Sequence, residues 1–147
     1  MKRLTFGIII LILMLMASSA FGKTIDTKYF TMKIPEGWHG EKLSSTSIQL
    51  TRDDETASVL IKVGEMGKKT IDEIAKSTAK KYSAEDLEQD EDGTYSFTFE
   101  EDGKTKIGML DTLNDEICML LIEYAENEEA LDSIDEVRDG FDIKEDE

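Results

Sequence analysis

The pattern of apolar and polar positions predicts strands along most of the chain, and Glu116–Ala125 is the most apolar of them. On a strand, alternate side chains point to opposite faces, and here both faces are apolar. One face would carry Ile117, Met119 and Leu121, and the other Cys118, Leu120, Ile122 and Tyr124. A strand of this kind is covered above and below. We therefore expect a central strand in a sheet with a helix on each side.

Three half-buried strands are predicted before the first helix. Lys28–Ile34 alternates apolar and polar residues, and Thr46–Arg52 and Ala57–Val63 show the same period of two. Pro35 and Gly37 mark a turn after the first strand. Trp38 and His39 follow this turn, and we place both in a loop closed by Gly40.

The spacing of apolar residues then changes and predicts a helix from about Ile71 to Tyr82. Thr70 and Glu73 have the spacing of a capping box, in which each side chain binds the other residue's free backbone N–H. The lysines Lys69, Lys76 and Lys80 fall on the outer side of this helix.

Four strands are predicted next, in a meander. They are Asp86–Glu91, which is weak, then Thr94–Glu100, Lys104–Leu113 and the central Glu116–Ala125. Asp92-Gly93 and Asp102-Gly103 are strong signals for two-residue hairpin turns, because these residues tolerate a positive φ.

A second helix is predicted from the apolar positions Ala130, Leu131, Ile134 and Val137. Asn127 is the expected N-cap, and Gly140 the expected left-handed stop. The element order is β-β-β-α-β-β-β-β-α. The predicted fold class is α+β, an α/β/α sandwich with a mostly antiparallel sheet.

The strand that begins at Tyr29 and ends in Pro35-Glu36-Gly37-Trp38 resembles the PsbP-like superfamily, and within it the bacterial periplasmic DcrB-like proteins. The hairpin Asp92–Phe99 and the terminal helix support this resemblance, which covers nearly the whole chain after the leader. It implies an exported α/β/α sandwich domain. The superfamily includes an extrinsic photosystem subunit and a Ran-binding protein, so it does not fix a function. It also supplies no catalytic residues to transfer.

The first residues have the features of a secretory signal peptide: Lys2 and Arg3, a short apolar core, and small residues before the cut. We predict a signal peptide at 1–22, a single PsbP-like domain at 23–143 and a charged tail at 144–147. A second possible cleavage site lies before Phe21. The alternative is a permanent anchor, but the apolar core is shorter than the roughly 20 residues of a spanning helix. No cysteine lies near the cut, so a lipid anchor is not expected.

The distribution of charged residues limits the partners that the protein can have. Removal of 1–22 leaves 15 basic and 33 acidic residues. Ser83–Glu147 holds 24 of the acidic residues and only 4 basic ones, whereas Lys23–Tyr82 is nearly balanced. Such a chain repels nucleic acid and anionic lipid headgroups. We predict an exported protein of the periplasm or the extracellular space, without a stable membrane anchor after cleavage and without nucleic acid as a partner.

Few residues indicate catalysis or metal binding. Glu88, Asp90 and Asp92 resemble the start of a calcium loop, but Phe99 stands where an EF-hand needs a bidentate glutamate. A loose cation site at these carboxylates is the alternative to a solvated hairpin rim. His39 is the only histidine, and no nucleophile motif accompanies it. Cys118, the only cysteine, is interpreted as a buried apolar residue rather than a reactive thiol.

The outer side of the second helix carries a row of carboxylates. It consists of Glu128, Glu129, Asp132, Asp135, Glu136 and Asp139. A solvated face is the ordinary interpretation, but these like charges repel one another, which leaves room for a functional reason.

We therefore predict a non-enzymatic binding or assembly factor of the bacterial envelope. Its acidic face would dock a basic protein segment, with Trp38 and His39 as further contact candidates. A cation-responsive or cation-buffering protein is the alternative. An enzyme is the least favoured class, and no cofactor is expected.

Overall fold

The computed structural model describes residues 21–144. Residues 1–20 of the predicted signal peptide 1–22 and residues 145–147 of the predicted tail 144–147 lie outside the described part. Ten strands and two helices make up this range, in the order β1 Phe21–Asp26, β2 Phe30–Pro35, β3 Trp38–Ser44, β4 Ser47–Arg52, β5 Ala57–Glu65, α1 Ile71–Lys81, β6 Glu88–Gln89, β7 Tyr95–Glu101, β8 Lys104–Thr112, β9 Ile117–Ala125, α2 Glu128–Asp139 and β10 Phe141–Ile143. Neither helix is long and apolar enough to cross a membrane.

Seven strands form one antiparallel sheet in the order β3-β4-β5-β9-β8-β7-β6. The strand predicted to be central, β9, lies in the middle of it and pairs with β5 from Ile117 to Ala125 and with β8 on its other side. The mixed α+β class and the large antiparallel sheet are confirmed. The fully apolar sequence of β9 follows from this position, because both of its faces are covered.

The two helices cover opposite faces of the sheet. The alternation along β9 shows this: Leu120 belongs to the same buried cluster as Ala75 and Ala79 of α1. Leu121 instead packs against the cluster that contains Ile134 of α2. The helices are also offset along the sheet, because the α1 cluster draws on β7 and β8, whereas the α2 cluster draws on β3, β4 and β5.

A second, smaller sheet was not predicted. Its order is β1-β2-β10, and it lies with α2 over the same core cluster of the large sheet. The middle strand β2 supplies Phe30, Met32 and Ile34, all of which are buried. The predicted sandwich with a single sheet is therefore only partly right, because one outer layer combines a helix with three strands.

The predicted element order lacks three strands. β1 overlaps the predicted end of the signal segment and pairs with β2. Trp38 and His39 were predicted to lie in a loop closed by Gly40, yet they begin β3, which pairs with β4 as an edge strand whose charged side chains face water. β10 has only three residues, too few for a visible alternation, and Asp86–Glu91 shortens to the two-residue β6.

The two hairpin predictions differ in outcome. Asp102 and Gly103 have φ of 55° and 77° and form the predicted two-residue turn between β7 and β8. At the other site, Asp90 N–H donates to Thr94 O at 2.9 Å, so the loop is longer than the two residues predicted. Gly93, with φ of 90°, supplies the left-handed residue that such a longer loop needs.

Both helix N-termini are capped as predicted. Thr70 and Glu73 form the capping box of α1, and the side chain of Asn127 accepts a hydrogen bond from Ala130 N–H in α2. The prediction for Gly140 is wrong, because its φ is −86°. A Cβ at this position would lie 2.2 Å from Lys33 O. The glycine is required because the end of α2 approaches the backbone of β2.

Candidate functional site: the acidic face of α2

The acidic face is presented by a helix whose other side is buried in the core. Ala130, Ile134 and Val137 are at most 1% exposed and fix the orientation of α2 on the sheet. The carboxylates point outward from this anchor, and all of them lie on exposed residues: Glu128, Glu129, Asp132, Asp135, Glu136 and Asp139. With one arginine in the helix, α2 has a formal net charge of −5.

Two arginines bind carboxylates at the two ends of this face. Arg52 Nη2 lies 3.0 Å from Glu129 Oε1, and its Nε lies 3.6 Å from Asp54 Oδ2. Arg138 Nη1 lies 3.3 Å from Asp135 Oδ1. Arg52 and Arg138 are the only arginines after the predicted signal segment. Both arginines therefore bind carboxylates that lie on α2 or next to it.

Four carboxylates of the face form no ion pair within residues 21–144: Glu128, Asp132, Glu136 and Asp139. Leu131 lies about one helical turn from Glu128 and Asp135, at the edge of this face, and is 50% exposed. Leu131 is one of the apolar positions from which the helix was predicted, but it falls outside the buried stripe that Ala130, Ile134 and Val137 form. The face thus combines unpaired negative charge with one apolar side chain.

The opposite face of the molecule has a different charge. Lys68–Lys81, which covers α1 and the residues before it, holds five lysines and two carboxylates. Lys76 Nζ binds Asp72 Oδ2 at 2.9 Å, and this hydrogen bond, with that of the Tyr95 hydroxyl, lowers the pKa of Asp72. Every ion pair that α1 forms within the described range stays on its own face, so its lysines do not neutralise α2.

Trp38 and His39 are separated by their alternation on β3. Trp38 is only 7% exposed and belongs to the core under the first turn, so it offers no surface for a partner. The His39 side chain is 64% exposed, and its Nδ1 lies 2.8 Å from Asp53 Oδ1. This pair links β3 to the turn after β4. No serine or cysteine side chain is hydrogen-bonded to His39 among the described residues.

The three weak metal candidates do not form a ligand set. Glu88 lies in the short edge strand β6, and Asp92 lies in the hairpin loop. Asp90 Oδ1 accepts hydrogen bonds from the backbone N–H of Asp92 at 2.9 Å and of Thr94 at 3.0 Å. Its carboxylate therefore shapes the loop. Within residues 21–144, no group of three or more histidine, cysteine, aspartate or glutamate side chains could hold a metal ion.

Cys118 is buried in the α1 cluster, as the alternation predicted. Burial raises the pKa of its thiol, so the reactive thiolate is disfavoured. A role as an apolar core residue accounts for it.

The residue that fixes α2 to β9 was not among those singled out from the sequence. Glu123 is 5% exposed, although it is charged. Arg138 donates from Nη2 to Glu123 Oε1 at 2.6 Å and from Nε to Oε2 at 3.1 Å. A lone glutamate inside an apolar strand was the available signal, because a buried charge is paired.

No protein-family model matches this chain, and no curated protein matches it. The resemblance to the PsbP-like superfamily therefore stays a prediction that rests on the residues quoted for it.

Proposed function

We propose that this protein is a non-enzymatic binding or assembly factor of the bacterial envelope, and that the exposed face of α2 docks a basic segment of a partner protein. One observation carries the proposal: six carboxylates share one exposed helix face, four of them form no ion pair within residues 21–144, and the lysines of α1 lie on the opposite face of the large sheet.

Electrostatics supports a docking role for such a face. Like charges three or four residues apart destabilise a helix by a few tenths of a kcal/mol per pair. A partner segment rich in lysine or arginine would remove this repulsion on binding and would be steered toward the face. Leu131, half exposed at the same face, would add an apolar contact at which water is excluded.

The test uses the triple variant Asp132→Lys, Glu136→Lys, Asp139→Lys. These carboxylates form no ion pair within residues 21–144, so their reversal leaves the contacts of Arg52 and Arg138 intact. Wild type and variant are immobilised, and partners from envelope extract are captured and quantified. We expect the triple variant to lose the partners that the wild type retains.

A matched control separates the face from the overall charge. The variant Glu85→Lys, Glu91→Lys, Glu100→Lys changes the net charge equally, at exposed positions away from α2 that form no ion pair among the described residues. It should keep the partners. Capture by the wild type should also weaken between about 50 and 300 mM salt, because exposed charges are screened within about 10 Å at 0.1 M. Equal loss in both variants, or capture that ignores salt, would contradict the proposal.

Export is the second part of the proposal. It is supported by the basic start, the short apolar core and the small residues of 1–22. The intact mass of the protein from the envelope fraction tests it: a chain that begins at Phe21 or Lys23 is expected. A full-length species would mean that the segment is retained.

A cation-responsive role remains the alternative, because the carboxylates of α2 could gather cations loosely. Calcium titration followed by thermal unfolding separates the two roles. A saturable rise in melting temperature at submillimolar calcium, absent in the triple variant, would favour cation binding.

A further inference from the structure

A cleft of about 470 Å³ opens between the two sheets, at the end of the molecule far from the turn that joins β2 and β3. One wall comes from the turn between β1 and β2 and the end of β10, and the other from the end of β5, the turn between β8 and β9 and the start of β9. Leu113, Ile117 and Ile143 supply its apolar lining. Its volume lies within the roughly 300–1,000 Å³ of typical ligand pockets.

The main chain of β10 offers free hydrogen-bonding groups at this cleft. Among residues 21–144, β10 is an edge strand that pairs only with β2. Lys33 N–H donates to Gly140 O at 2.9 Å, and Lys144 N–H donates to Tyr29 O at 2.8 Å. Since hydrogen-bonded pairs alternate along an antiparallel ladder, the N–H and C=O of Ile143 point away from β2. Ile143 therefore presents one donor and one acceptor on the open side of the strand.

The polar side chains of the cleft differ in whether they already have partners. Lys144 Nζ is held by Asp26 Oδ1 at 2.8 Å and by Thr27 O, and Glu65 accepts from the Tyr29 hydroxyl at 3.3 Å. Lys28 Nζ lies 5.1 Å from the centre of the Tyr29 ring and forms no ion pair within residues 21–144. It is the cation of the cleft that remains available to a ligand, and Glu116 is the lining carboxylate that forms no ion pair in the same range.

We propose that this cleft binds a short extended peptide of a partner protein. One peptide residue would pair with Ile143 and exchange both main-chain hydrogen bonds with it, so that the peptide extends the three-stranded sheet. An apolar side chain of the peptide would lie against Leu113 and Ile117, and an acidic group beside it would meet Lys28. This site is separate from the carboxylates of α2 and does not depend on the docking role proposed for them.

The test begins with random hexapeptides displayed on phage and selected on the purified protein. Selected sequences are resynthesised, and their affinity is measured by fluorescence anisotropy. We expect peptides with an apolar residue next to an acidic one. Methylation of the one backbone nitrogen that pairs with Ile143 should weaken binding by about tenfold or more, a loss of about 1.4 kcal/mol. Methylation at an adjacent residue, whose N–H points the other way, should have little effect.

Two protein variants locate the binding. Lys28→Glu, at an exposed position, should weaken the selected peptides by about tenfold, whereas the triple variant on α2 should bind them as the wild type does. If the selected peptides bind the triple variant more weakly than the wild type, they bind at the acidic face, and the cleft proposal is overturned. It would equally be overturned if no peptide is enriched, or if neither backbone methylation nor Lys28→Glu changes the affinity.

Discussion

Arg138 binds both carboxylate oxygens of Glu123 and so joins the last turn of α2 to the central strand β9. Glu123 is 5% exposed, whereas the Arg138 side chain is 48% exposed. The hydrogen bonds to Glu123 raise the pKa of the Arg138 guanidinium, which is positively charged with or without this shift. A buried carboxylate without such a partner would retain its desolvation cost, so this pair sets the position of the acidic face.

The variant Arg138→Met should therefore destabilise the protein. We expect a loss of roughly 1–3 kcal/mol in the free energy of unfolding, because Glu123 keeps its burial but loses two charge-assisted hydrogen bonds. Urea unfolding at neutral pH measures it. The double variant Glu123→Leu, Arg138→Met removes both charges and should lose less than the single variant. If the single variant is as stable as the wild type, water solvates Glu123 and the pair does not fix α2.

A second prediction concerns the aromatic contact across β7 and β8. Phe97 and Gly108 are directly paired, and a Cβ at position 108 would lie 2.3 Å from the Phe97 ring. The ring therefore covers the glycine and fills the space of its missing side chain. Gly108→Ala should cost about 1–3 kcal/mol, as overpacked cores do.

Gly64 provides the control for this prediction, since it also lies in a strand of the large sheet. It has no atom within 4 Å of the position a Cβ would take, and its φ is not positive. Gly64→Ala should be neutral or slightly stabilising, because it reduces the freedom of the unfolded chain. Thermal unfolding of both variants decides the matter. Equal melting temperatures for the two would show that the Phe97 ring moves aside without cost.

The parts of the fold that the sequence predicted are those determined locally. The two apolar faces of β9 and the caps at Thr70 and Asn127 depend on neighbouring residues, and the structure contains them as expected. The missed parts depend on contacts distant in sequence. From the sequence, Gly140 looks like a helix stop. A glycine is required there because the backbone of Lys33 lies too close for a Cβ, and no local pattern shows this contact.

The candidate site, like the fold, could be predicted only where neighbouring residues determine it. Helical spacing placed the carboxylates of α2 outward, but it could not show that Arg52, from a distant strand, binds Glu129. It also could not show which face of the sheet each helix covers, because that depends on how the strands pair. That the basic helix α1 and the acidic helix α2 lie on opposite faces follows only once this topology is known.

A third prediction concerns acid stability. Asp86 accepts hydrogen bonds from the Thr98 hydroxyl at 2.5 Å and from Thr98 N–H at 2.9 Å, and these bonds lower the pKa of its carboxyl below 3.8 in the folded protein. A group with a lowered folded pKa stabilises the fold above its unfolded pKa, and this contribution is lost as the pH falls through the folded value.

Asp86→Ala should therefore unfold at lower urea than the wild type at pH 7, and the difference should shrink as the pH falls below 3.8 and the wild-type carboxyl becomes protonated. Glu91→Ala is the control, because this exposed carboxylate forms no hydrogen bond in the described range. A difference between wild type and Asp86→Ala that stays constant with pH would show that the loss comes from packing and not from the carboxylate.

The last prediction connects the acidic face with stability. Asp132 lies four residues from both Glu128 and Glu136, and Asp139 lies four residues from Asp135, so like charges meet repeatedly along α2. Each such pair costs about 0.2–0.5 kcal/mol, and negative charge near a helix C-terminus is unfavourable as well. The triple variant Asp132→Lys, Glu136→Lys, Asp139→Lys makes the pairs with Glu128 and Asp135 attractive and removes a negative charge at the helix C-terminus, although positions 132 and 136 still carry like charges. We expect it to gain about 0.5–2 kcal/mol at low salt, and to gain less as salt screens the charges.

Asp135→Lys serves as the contrast, because it replaces the carboxylate that binds Arg138 Nη1 at 3.3 Å with a second positive charge. It should destabilise the protein while the triple variant stabilises it, and urea unfolding at two salt concentrations separates them. A gain in stability coupled to the loss of partner capture would mean that the free protein carries these carboxylates at a cost, as sites selected for binding often do. If the triple variant is instead less stable than the wild type, the carboxylates serve the fold, and the reason to assign them to a partner is lost.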